Sequence, residues 1–142
     1  GCWDLNKFLD LQGYSQYVDR SNKDIWSLIK NSRLCICTQN GTVFLQILSR
    51  NFPTVVFWDR NLNEINPAAQ PFVDLLVDAE ILFYSPEEAA EKVNKTKNNI
   101  NEWWYSDKVQ SARIKFCENF AFSSENWLDE WSESLSPTKG LT

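Results

Sequence analysis

No histidine and no methionine occur anywhere in this chain. Without histidine the commonest general base is missing, so any acid or base work falls to carboxylates. The missing methionine extends to position 1, where Gly1 stands, and the expectation is a piece of a longer polypeptide. Cysteine is sparse. Of the four, Cys35 and Cys37 alternate along an apolar run and no second pair has ligand spacing, which argues against zinc or any other metal and for buried, reduced thiols. No apolar run approaches the roughly 20 residues of a membrane span, and GCWDLNKFLD has no signal-peptide pattern, so a cytoplasmic location is expected. There is no cluster of Lys and Arg either. With a net charge of -5, nucleic acid and anionic membranes are excluded as main partners.

What is present is core material. At 142 residues and 43% hydrophobic content, with seven Trp and nine Phe, the chain fits one compact domain over 1–142. The stretch from Leu34 to Trp58 reads strand, tight turn, helix, strand: LCICT, QNGT, VFLQILSR, NFPTVVFW. Leu34 to Thr38 is a continuous apolar run, as in a parallel strand covered on both faces. The helix over 42–50 is expected to bury Val43, Phe44, Ile47 and Leu48, and to present Thr42, Gln46 and Arg50 on its other face. Pro71 starts a helix with Phe72, Val73, Leu75 and Leu76, and a short strand follows at 81–84. Ser85-Pro86-Glu87-Glu88 is a capping box for a helix running to about Lys97.

Upstream, Trp3 to Leu11 is helical or irregular, Tyr14 to Asp19 is compatible with a short strand, and a Ser21/Asn22 cap precedes a helix containing Ile25, Trp26, Leu28 and Ile29. Downstream the chain is helical, with Val109, Ala112, Phe116 and Phe120 in one stripe, core roles for Trp103, Trp104, Trp127 and Trp131, and a frayed tail at 136–142. Alternation of strands and helices predicts an α/β fold: a Rossmann-like parallel sheet with flanking helices and a C-terminal helical extension.

In such sheets ligands bind outside the carboxyl ends of the strands. Two segments emerge there. Asn40-Gly41-Thr42 opens a helix whose N-terminus can hold an anion, with Gln46 one turn below to reach a hydroxyl, although the same motif also suits an ordinary strand-to-helix turn. The second segment is DRNLNEIN after Trp58. Its Arg60 can pair with phosphate and its Glu64 can accept from sugar hydroxyls, yet the composition equally suits a surface loop rich in turn formers.

The run RLCICTQNGTVFLQILSRNFPTVVFWDRNLNEINPAAQPFVDLLVDAEILFYSPEEAAEKVN, followed by VQSARIKFCENFA and ENWLDEWSESL, resembles the C-terminal part of a family of bacterial transferases associated with surface-carbohydrate synthesis and similar to GT-B glycosyltransferases. The resemblance implies the second Rossmann-like half of a two-domain enzyme, with an N-terminal acceptor domain missing. It implies a nucleotide-activated sugar as partner and no cofactor. Asn40, Gly41 and Thr42 then match the glycine turn, Gln46 stands where such families often carry a donor-contacting Glu, and Arg60 and Glu64 fall in a second donor-facing loop. The catalytic residue is not assigned. A sugar-nucleotide epimerase-like protein and a non-catalytic binding module with a degenerate site are the alternatives.

Overall fold

A computed structural model of the chain describes residues 5–21, 23–121, 126, 129 and 132. It divides into two compact units, Gly1–Ser32 and Arg33–Thr142.

In the first unit, helix α1 spans Leu5–Leu11, a single 3-10 turn covers Ser15–Tyr17, and α2 spans Ile25–Lys30. The 3-10 turn replaces the strand expected at 14–19. Tyr14 and Tyr17 are both exposed, so the apolar residues there have no sheet face to join. The N-cap of α2 is Asp24 rather than Ser21, and no side chain caps it; the Ser27 hydroxyl instead donates to the Asp24 carbonyl at 2.7 Å. Asn22 lies outside the described residues, as do Trp3, Trp127, Trp131 and the tail at 136–142.

The second unit is built on three parallel strands, β1 (Cys35–Cys37), β2 (Thr54–Phe57) and β3 (Leu82–Phe83), in the order β1-β2-β3. Registers Cys35↔Thr54, Ile36↔Val55 and Cys37↔Val56 join the first pair, and Val56↔Leu82 the second. Helix α3 (Thr42–Ser49) connects β1 to β2 and α4 (Gln70–Asp78) connects β2 to β3; α5 (Pro86–Thr96), α6 (Ile100–Trp104) and α7 (Asp107–Phe120) follow. This is a Rossmann-like α/β fold with adjacent parallel strands and helical crossovers, as the alternation predicts.

The central strand is covered on both sides: Thr54, Val55 and Val56 have no exposed surface. Phe44 and Leu48 of α3, Val73 and Leu76 of α4, and Val109, Ala112 and Phe116 of α7 close over one face together with Val56 and Trp58. Phe44 is wedged between two rings, 5.9 Å from Trp58 and 5.7 Å from Phe116. On the other face, Ile36 and Phe57 line a groove with Pro86, Ala89 and Val93 of α5.

Three burial expectations are corrected. β1 is an edge strand and Ile36 is half exposed, so its unbroken apolar run does not mark two covered faces. Val43 and Phe120 are also exposed, at 40% and 38%, because each sits at the margin of its helix's apolar stripe.

Helix ends follow their local chemistry. Ser85 caps α5, its Oγ accepting from the Glu87 and Glu88 amides. Asn51 and Glu80, just past α3 and α4, take left-handed φ values of 55° and 57° that end those helices. Among the described residues no helix is long and apolar enough to cross a membrane.

Candidate functional site

The carboxyl ends of β1 and β2 open onto a cavity of about 230 Å³. Its floor is apolar, from Leu45, Trp58, Val73, Phe116 and Phe120, and its polar rim is Asn40, Glu64 and Asn66. Two loops far apart in sequence therefore meet. Asn40 arrives from the turn after β1, and Glu64 from the loop after β2.

Each rim group has a local reason for its place. The Asp59 carboxylate accepts from the Asn61 amide at 2.8 Å, and the Asp59 carbonyl accepts from the Leu62 amide and the Asn63 side chain, so the loop folds on its own first residue. Asn66 Oδ1 accepts from the Ala68 amide at 2.9 Å and sets the approach to α4. Much of this loop's polarity is thus spent on turn formation. Glu64 has no hydrogen bond or ion pair among the described residues and is exposed, leaving its carboxylate available at the rim.

The start of α3 differs from that of α5 at this edge of the sheet. Gly41 is the N-cap, with extended φ and ψ of -154° and 172°; no side chain caps the helix and its first turn holds no acid. Helix α5, by contrast, has its amides taken by Ser85 and two glutamates in its first turn. Helix α4, like α3, has no side-chain cap and no acid in its first turn, and its second residue, Pro71, carries no amide proton. The first-turn amides of α3, lacking intrahelical acceptors, are a positive end left open on this edge. Glycine at 41 is not required by its φ. A Cβ there would meet only the Gln39 side chain, at 3.7 Å, so the residue's contribution is open space beside the amides.

The structure separates the remaining expected residues from the cavity. Thr42 and Gln46 lie on the exposed face of α3, one turn apart. Arg60 stacks its guanidinium over the Tyr84 ring at 4.3 Å, toward the end of β3. Sequence reasoning missed Trp58, Phe116 and Phe120 as cavity lining, because an aromatic residue at a strand end or on a helix stripe reads simply as core. The usable signal was Trp58 itself, a bulky residue placed between a buried strand and a polar loop. Its indole Nε1 is buried and has no hydrogen-bond partner among the described residues, which is uncommon for a tryptophan at this depth. Among the described residues no three His, Cys, Asp or Glu side chains come together as a metal site.

An open parallel sheet with helical crossovers places the chain in the Rossmann-like class of α/β proteins, and a cavity and an uncapped helix N-terminus lie at its carboxyl edge. The family model for the LIC12162 family transferase matches residues 3–135, and the chain belongs to that family. Comparison with curated proteins and with solved structures returned no match.

Proposed function

We propose that the second unit is the donor-binding side of a glycosyltransferase-like enzyme of surface-carbohydrate synthesis, taking a nucleotide-activated sugar. The observation that carries this reading is the convergence of Asn40 and Glu64 on one cavity beside the uncapped start of α3. A diphosphate placed at Gly41 and Thr42 gains charge-assisted amide hydrogen bonds and the favourable end of the helix dipole, the latter worth about 0.3–1 kcal/mol at an exposed site. Glu64 accepts from hydroxyl groups of the sugar. Gln46, on the outer face of α3, hydrogen-bonds a hydroxyl but takes no proton, so it orients donor and does no acid or base work. Arg60, held against Tyr84, stands at the far side of the same sheet edge and answers a phosphate that extends that way.

In the transfer step the bond from the anomeric carbon to the diphosphate oxygen breaks as the acceptor hydroxyl attacks. The leaving diphosphate takes up negative charge where the α3 amides already point. The acceptor and the base that deprotonates it belong to a second domain facing the cleft. A cytoplasmic setting, where activated sugar donors are made, goes with this reading.

The test is a pair of NMR titrations on labelled protein, one with inorganic pyrophosphate and one with a panel of nucleoside-diphosphate sugars. Shifts are expected to cluster at 38–46 and 58–66. Gly41→Val fits the extended backbone and the open space around its Cβ, so it keeps the fold while crowding the amides, and it abolishes the shifts from both ligands. Gln46→Ala weakens the nucleotide sugars and spares pyrophosphate. Shifts elsewhere, or shifts that survive Gly41→Val, would return the turn to a purely structural role.

A further inference from the structure

Trp58 is 3% exposed and forms part of the cavity floor, yet its indole Nε1 has no hydrogen-bond partner among the described residues. Tyr84 Oη and Trp103 Nε1 share that condition, and neither residue lines this cavity. A buried donor left unpaired is costly, and an acceptor that reaches it recovers the cost. An indole N–H donates and never accepts. The other floor side chains, Leu45, Val73, Phe116 and Phe120, offer no acceptor either.

A group entering this floor therefore needs an acceptor atom that carries no hydrogen, with apolar bulk around it. A sugar hydroxyl fails, because its hydrogen is driven against hydrocarbon. The carbonyl of uracil or guanine brings the adjacent ring N–H down with it, to the same effect. An acetamido group meets both demands: its carbonyl oxygen accepts from the indole, and its methyl packs on Leu45, Val73 and the two phenyl rings. In a trans amide the N–H points away from the carbonyl. It then faces the polar rim, where the exposed Glu64 carboxylate has no hydrogen bond or ion pair among the described residues. At about 230 Å³ the cavity is smaller than the pockets of about 300–1,000 Å³ that take drug-sized ligands, so it suits one sugar residue rather than a whole nucleotide sugar.

We propose that the cavity selects donors carrying an N-acetylated amino sugar, with Trp58 Nε1 donating to the acetamido carbonyl and Glu64 accepting from the acetamido N–H. One carboxylate oxygen of Glu64 serves that N–H and the other remains for a sugar hydroxyl. Trp58 is then a specificity-determining residue and takes no part in bond making. The inference rests on the donor-binding reading of the same cavity.

The experiment titrates matched probes into nitrogen-15-labelled protein: N-acetylglucosamine 1-phosphate against glucose 1-phosphate, the corresponding galacto pair, and inorganic pyrophosphate in a separate series. The acetamido member of at least one pair is expected to bind about tenfold more tightly than its hydroxyl counterpart, and one of the seven indole N–H resonances to move downfield with the acetamido member alone. Trp58→Phe keeps an aromatic ring on the floor and removes the donor, so that resonance disappears and the paired affinities come within about twofold of each other. Equal affinities in both pairs, or a preference that survives Trp58→Phe, would overturn the proposal. Pyrophosphate separates the two levels. If it shifts residues 38–46 while the pairs bind alike, acetamido selection falls and the donor-binding reading stands; if neither pyrophosphate nor any sugar phosphate binds, both fall. Should Trp58→Phe unfold, the unaltered chain still decides, because indole resonances that stay in place on adding the acetamido probes refute the hydrogen bond.

Discussion

Asn51 shows how much one side chain can hold. At φ 55° it sits in the left-handed region that asparagine tolerates better than most residues. Its Oδ1 accepts from Trp104 Nε1 at 2.9 Å and from Gln110 Nε2 at 3.1 Å, tying the end of α3 to α6 and α7. Asn51→Ala removes that acceptor and keeps the backbone cost, so a loss of about 1–3 kcal/mol in urea unfolding is expected, with Asn51→Asp milder because the acceptor remains. Cys35 gives a second prediction at this scale. Thiolate is the reactive form, and the hydrogen bond from the Cys37 thiol brings the Cys35 thiol down to about 7, so its alkylation rate climbs as pH rises through about 7 and levels off above it, whereas Cys37→Ala removes that donor and moves the climb to higher pH; mass-resolved alkylation rates check both. At the residue scale the sequence was a partial guide to the site. Asn40 and Glu64 share the cavity because both loops leave carboxyl strand ends, a topological argument available from alternation alone. Arg60 falls away from that cavity because Tyr84 offers it a ring face, a contact across 24 residues that no local pattern announces.

At the scale of elements, periodicity served the helices best. Phe44, Ile47 and Leu48 on α3 and Val109, Ala112 and Phe116 on α7 are buried as their spacing demands. Strand β1 went the other way. Its CICT run looks like a covered strand, yet coverage depends on a neighbouring strand and helix rather than on the run itself, and here one edge has no partner among the described residues. Leu76 of α4, with no exposed surface and set in the main core, predicts a loss of about 2–5 kcal/mol for Leu76→Ala by denaturant unfolding. The C-terminus of α4 is weaker. There the buried Lys92 donates to Glu80 at 2.5 Å and holds the Glu80 carboxyl below its usual range. A depressed carboxylate stabilises the fold above its unfolded pKa, and that contribution is lost as pH falls through the folded value. Because the Glu80 side chain is 59% exposed, Glu80→Gln is expected to cost no more than about 1 kcal/mol at neutral pH and to flatten the acid limb of the stability profile.

For the whole molecule, membership of the LIC12162 family transferase spans nearly the entire chain, residues 3–135, whereas the burial is concentrated in the second unit. Among the described residues of Gly1–Ser32, Ile29 is the buried one. Amide hydrogen exchange is therefore expected to be fast across 5–32 and slowest in β2, α3 and α7; equal protection in both units would contradict this reading of where the stability lies. The parallel sheet described above also governs the order in which the chain can fold. No two neighbouring strands are joined by a hairpin: Cys35 meets Thr54 only after α3 has turned back, and Val56 meets Leu82 only after α4 has. The bonds from Trp104 to Asn51 and from Arg113 to the Leu48 carbonyl close loops of 53 and 65 residues. Loop-closure entropy is thus met before most native contacts reward it, which sets a slow, nonlocal folding regime. During synthesis, Phe44, Trp58 and Val73 wait uncovered until the stretch from Asp107 onward leaves the ribosome, so a nascent chain halted before α7 offers chaperones a sticky, half-built layer.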